Sequence, residues 1–136
     1  MAVLLTSAFV ILWLAIVYLA LLGIAAIVRP AAARHFLEGF AQTPRANLVE
    51  AMVRFAIGVS FAVAAPFLPF PPGFRVIGAF LALTALLMLV LPRQHRRLAA
   101  HSVAMVAPYV RLIGAASLLL AGLLATILWV GVETAT

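Results

Sequence analysis

Residues 2–28 read AVLLTSAFVILWLAIVYLALLGIAAIV, 27 consecutive positions without a charged side chain. A helix needs about 20 predominantly apolar residues to cross the hydrocarbon of a bilayer, so this stretch can span it with some tilt. A cleaved secretory signal would open on basic residues and carry a shorter apolar core. No side-chain cation precedes Arg29, and the stretch is expected to be a retained membrane span that Arg29 and Pro30 end.

Working outward from that span, three more are marked by their ends. Thr43 and Pro44 supply a capping hydroxyl and a proline for the first helical position, opening a second span that should run to about Ala65. Pro66, Pro69, Pro71 and Pro72 with Gly73 predict a rigid turn, and Arg75 opens a third span that Pro92 stops. The fourth starts near Pro108, offers 21 uncharged residues from Leu112 to Val132, and ends at Glu133. The expected architecture is one all-α membrane domain with four transmembrane helices at about 3–28, 44–65, 74–91 and 108–132.

Composition agrees with that class. The chain of 136 residues is 68% hydrophobic and 9% charged, with a mean hydropathy of +1.28, which excludes an ordinary soluble domain. Four spans leave little for a domain outside the membrane. Cysteine is absent, so disulfides and cysteine ligands are excluded.

Charge fixes the expected orientation. Four of the nine arginines fall between Arg29 and Arg54, four more between Pro92 and Arg111, and a single one, Arg75, follows the outer turn. The positive-inside rule places the first and third connections in the cytoplasm and both termini outside it. Eight against one also argues against a dual-topology carrier, whose charge bias is nearly nil. Small size and basicity carried by arginine alone point to a bacterial inner membrane.

Both basic connections carry amphipathic signals. Ala33, Phe36, Leu37 and Phe40 recur at helical spacing while Arg34, His35, Glu38 and Gln42 occupy the other face, predicting a short helix over about 31–42 in the cytoplasmic interface. A looser pattern over 93–106 sets Arg93, Gln94, Arg97 and His101 roughly opposite Leu98, Met105 and Val106. The halves also resemble each other. Pro30 and Arg34 match Pro92 and Arg96 at an offset of 62, and Arg54 and Ser60 match Arg111 and Ser117 at an offset of 57. This predicts two parallel-repeat hairpins, because both halves enter from the same side.

Small residues set the packing expectations. Ser117, Ala121 and Ala125, with Gly114 and Gly122 alongside, form a ridge on the fourth span; Gly58 with Ala62 and Gly78 with Ala82 do so on the second and third. Helices in lipid associate at such residues, either within the chain or with a partner.

The candidate site residues are Glu50, Arg54, Arg111, Arg34, Arg96 and Arg97. An arginine at the bilayer centre costs about 2.5–3.5 kcal/mol on insertion scales, so Arg54 should be paired, snorkelling or turned inward. Glu50, four residues earlier, stands in the favourable order for a helical ion pair. These groups are either a structural pair at headgroup level or, with Arg111, the lining of an inward-facing pocket for an anionic headgroup or amphiphile. A proton path would need further ionisable residues deeper in the spans. His35, His95 and His101 lack the spacing of a metal set, so no metal or cofactor is expected. Trp129, Tyr109 and the phenylalanines of the outer turn fit interfacial anchors, whereas Trp13 and Tyr18 lie within the first span.

Anionic lipid is the expected partner of the basic end, other membrane subunits or further copies of the chain are the expected protein partners, and nucleic acid is not expected. No nucleophile, acid–base pair or metal set inside the spans suggests an enzyme. The sequence therefore points to a non-enzymatic accessory, scaffolding or assembly subunit of a membrane complex, or alternatively to an oligomeric carrier or channel for a small amphiphile or anionic lipid. Single cysteines at His35 and His95 are expected to resist an impermeant thiol reagent applied to intact cells. Labelling of either one would overturn the orientation.

Overall fold

The computed structural model describes residues 1–40 and 43–135, Phe40 by its backbone alone, so the expectations for the Phe40 side chain and for Gln42 lie outside the described residues. Six α-helices account for most of the described residues: α1 Ala2–Val28, α2 Pro30–Phe40, α3 Pro44–Ala64, α4 Pro71–Val90, α5 Pro92–Val106 and α6 Val110–Ala135. Two 3-10 turns, Ala65–Phe67 and Ala107–Tyr109, follow α3 and α5. There is no strand among the described residues.

Proline decides where helices begin. Four of the six open on one, Pro30, Pro44, Pro71 and Pro92, where a fixed φ suits the first turn and the missing N–H has no intrahelical partner anyway. The residue before a proline is pushed out of the helical region. Arg29 (φ −133°, ψ 69°) and Leu91 (φ −122°, ψ 55°) accordingly end α1 and α4. Thr43 caps α3 in extended conformation, its Oγ1 accepting from the Ala46 amide at 3.1 Å.

The boundaries depart from expectation at two places. The third span was expected from 74, but α4 already begins at Pro71, because two consecutive prolines pre-set its first turn instead of prolonging the loop. Phe70 makes the reversal in a left-handed conformation (φ 64°) and its ring lies over Gly73, where a Cβ would collide with it. The fourth span was expected near Pro108, but that proline sits in the 3-10 turn between α5 and α6 in an otherwise continuous helical run from Pro92 to Ala135.

Among the described residues four stretches are long and apolar enough to cross a membrane: Ala2–Val28, Pro44–Phe67, Pro71–Val90 and Pro92–Ala135. In each, at most 33% of the most apolar window is buried within the chain. Leu14, Phe80, Leu119 and Trp129 are all more than half exposed, so the apolar surface points outward, as lipid requires.

Packing proceeds in two pairs. α3 lies against α4 and α1 against α6, and contact of α1 with α3 joins the pairs. Each pair crosses where two glycines let backbones meet. A Cβ at Gly58 would come 2.7 Å from the Gly78 carbonyl oxygen and the Ala82 amide; a Cβ at Gly114 would come 2.8 Å from the Gly23 carbonyl. Exchanging the two halves of the chain would map α3–α4 onto α6–α1. The same exchange maps α1–α3 onto α4–α6, and no contact of that extent joins α4 to α6 among the described residues.

The main core sits toward the end that holds the chain's N-terminus and the α3–α4 turn. Phe9, Leu12 and Ile16 from α1, Phe61 from α3, Leu68 from the turn, Phe74 from α4 and Leu128 from α6 are buried together. The rings of Phe61 and Phe74 stack at 5.7 Å. At this end the Thr134 hydroxyl lies 2.8 Å from the Phe67 carbonyl and 2.9 Å from that of Gly131. At the opposite end Ala26, Ala33 and Val110 form a second small cluster, tying α1, α2 and the start of α6 together, while α5 touches α2, α3 and α4.

Gly58→Val is expected to destabilise the folded chain by about 1–3 kcal/mol, because the inserted atoms meet backbone that cannot step aside. Denaturation in detergent micelles measures it, and wild-type stability would contradict the close crossing.

Candidate functional site

The chemistry-bearing residues gather at the end formed by the close of α1, the start of α3, the close of α4 and the start of α6. A polar stripe runs along α3 from that end: Asn47, Glu50 and Arg54 follow one another at helical spacing, with Ala51 and Gly58 buried beside them. The stripe therefore turns toward the other helices.

Asn47 was not singled out in the sequence, where it reads as one polar residue near a helix start. In the fold it is 4% exposed and donates from Nδ2 to the Met88 carbonyl on α4 at 3.2 Å. The reason lies four residues beyond Met88, at Pro92, which has no N–H to give that carbonyl. Asn47 replaces the missing helical donor and fastens α3 to α4. Its own Oδ1 meets no donor among the described residues. The signal available in the sequence was the pairing of a lone amide side chain with a helix-ending proline, which only the α3–α4 register connects.

Glu50 and Arg54 form the expected ion pair, Nη2 to Oε1 at 2.7 Å, with 26% and 35% of their side chains exposed respectively. The Tyr18 phenol on α1 is within electrostatic reach of Glu50. The Glu50 carboxylate and the Arg54 guanidinium thus compensate each other one turn apart on α3.

The remaining candidate arginines lie elsewhere. Arg34 and Arg111 share one open groove of about 440 Å³, walled by Pro30, Pro108, Tyr109, Val110 and Leu112. Arg111 is therefore grouped with Arg34, not with Glu50 and Arg54. Arg97 lines a second open groove of about 530 Å³ with Arg93 and Gln94, built from a single run of chain, Val90 to Arg97. Arg96 is half-buried on α5, on the same face as His95, Ala99 and Val103.

The two grooves differ in construction. In the first, buried Ala33 and Val110 pack together with Ala26, so the neighbouring Arg34 and Arg111 are set by a packed contact between α2 and α6. The Gly23–Gly114 crossing one turn away allows α6 to come that close to α1. No hydrogen bond or ion pair joins either guanidinium to another described residue.

No group of three or more histidine, aspartate or glutamate side chains is placed to hold a metal ion among the described residues. The three histidines fall on α2 and α5. At the far end the Trp129 indole N–H donates to Glu133 Oε1 at 3.0 Å, one turn along α6. In comparisons with known proteins, no family model, curated sequence or solved structure matches the chain.

Asn47→Asp keeps the side chain's size and removes its N–H donors, so it is expected to lower stability by at least about 1 kcal/mol. Asn47→Ala, which also deletes the unmet Oδ1, should cost less. Equal detergent unfolding of wild type and Asn47→Asp would exclude the donor role.

Proposed function

We propose that this chain is an accessory, scaffolding or assembly subunit of a membrane complex, and that it works by binding within the bilayer and not by catalysis. In this reading it sits in a bacterial inner membrane with the arginine-rich end at the cytoplasmic leaflet and both termini outside. The four apolar spans and the gathering of basic residues at one end support that placement.

The observation that carries the reading is Gly122. Glycine in a helix interior is about 1 kcal/mol less favourable than alanine, and it persists in membrane helices where backbones approach closely. Gly114 is explained by its crossing with Gly23. Gly122, about two turns further along α6, is exposed and has open space where its side chain would be. Leu119, Leu123 and Thr126 around it are exposed as well. A helix of another subunit would use the backbone that Gly122 leaves bare.

The two short helices fit the interfacial role that the sequence suggests. Leu91, just before α5, and Leu98 and Met105 on it recur at intervals of seven and are all exposed, whereas the face of His95, Ala99 and Val103 is half-buried. An apolar stripe pointing off the bundle at the basic end suits the boundary between headgroups and acyl chains.

A Cβ at Gly122 would meet open space beyond its own helix backbone, so Gly122→Leu should fold and insert normally. It is expected to lose membrane subunits that copurify with wild type in gentle detergent, as read by mass spectrometry. Retention of the same companions by Gly122→Leu, or a wild-type chain that purifies alone, would refute the assembly role.

A further inference from the structure

We propose that the groove between Arg34 and Arg111 is a binding site for the phosphodiester of an anionic glycerophospholipid. The inference rests on the reading of the chain as membrane-spanning with this end at headgroup level, and it is independent of the subunit role. Arg34 comes from α2 and Arg111 from the first turn of α6, two elements far apart in the chain that the buried contact of Ala33 with Val110 brings together. The site is therefore a product of the fold and not of a local run of arginines.

Its chemistry is one-signed. Both guanidiniums are exposed into the groove and meet no acceptor among the described residues, and no carboxylate lines it. A guanidinium presents a planar fork of donors that matches phosphate oxygens, which a lone hydrated ammonium does not. Tyr109, 62% exposed on the same wall, adds a phenolic donor. Pro30 opens α2 at the groove's rim, so the positive end of that helix adds to the field.

The rest of the lining selects a lipid over a soluble phosphate. Pro30, Pro108 and Leu112 are apolar, and Leu112 begins the uncharged stretch of α6, so the groove passes from basic to greasy along one wall. A phosphodiester held by the arginines would lay its glycerol and first acyl carbons along that wall. The groove of Arg93 and Arg97 has no wall from a distant part of the chain, being formed by the single run Val90 to Arg97 around Pro92.

The test uses the full chain in mild detergent, with lipid retention read by native mass spectrometry. The probes are phosphatidylglycerol, phosphatidylcholine and inorganic phosphate. Wild type is expected to retain phosphatidylglycerol over phosphatidylcholine. The double variant Arg34→Gln/Arg111→Gln should retain it about 10-fold less or weaker still. Arg45→Gln/Arg93→Gln, which removes the same charge from the same end, should stay close to wild type. Equal loss in both double variants would reduce the effect to general surface charge and overturn the site, as would unchanged retention in the first. Displacement of the lipid by millimolar inorganic phosphate would overturn the lipid as occupant. Should Arg34→Gln/Arg111→Gln fail to fold, Arg34→Lys/Arg111→Lys keeps the charge and loses the fork; a several-fold loss supports the site and wild-type retention overturns it. Retention in detergent does not depend on orientation, so the accessibility of cysteines at 35 and 95 reports separately on the topology.

Discussion

A backbone in hydrocarbon has no water to turn to, so each carbonyl that loses its helical donor must find another within the protein. This chain carries eight prolines, and each withdraws an N–H from the ladder. Four stand at helix starts, where the loss is free. One of these four, Pro92, also explains a contact that holds the bundle together. The Met88 carbonyl, deprived by Pro92, is taken up by Asn47 of α3, and the Phe67 carbonyl, four residues before Pro71, lies against the Thr134 hydroxyl of α6. Helix punctuation and tertiary contact are in this sense one device. The residues that stop a helix create the acceptors that a neighbouring helix satisfies.

Close approach does the rest. Without a hydrophobic force between helices in lipid, association depends on contact area and on small residues that let backbones meet. The crossings at Gly58 with Gly78 and at Gly23 with Gly114 organise the two pairs, and the aromatic and aliphatic core of Phe9, Leu12, Phe61 and Leu128 joins them near the other end. At the arginine-rich end a smaller cluster of Ala26, Ala33 and Val110 ties α1, α2 and α6 together. Small side chains there leave room for grooves, and the long arginine stems frame them.

The membrane class, the number of spans and the crowding of arginine into two connections were legible in the residues, because span length and charge are properties of composition along a line. So was the pair of Glu50 with Arg54, since one helical turn brings them together regardless of context. The beginning of α4 was misplaced because a run of prolines reads equally as loop and as helix start, and only the left-handed turn at Phe70 resolves it. The role of Asn47 is not legible in the sequence because its partner lies 41 residues away.

The sequence by itself determined that this is a chain of apolar rods with its cations on alternate connections, since hydrophobic length and charge position act locally. Which arginines share a site was decided only by the tertiary structure. Arg111 stands beside Arg34 and apart from Arg54 because α6 packs on α1 through paired glycines and draws α2 against its base. That choice between neighbours depends on where two helices can approach most closely, a property of surfaces in three dimensions that no spacing along the chain encodes.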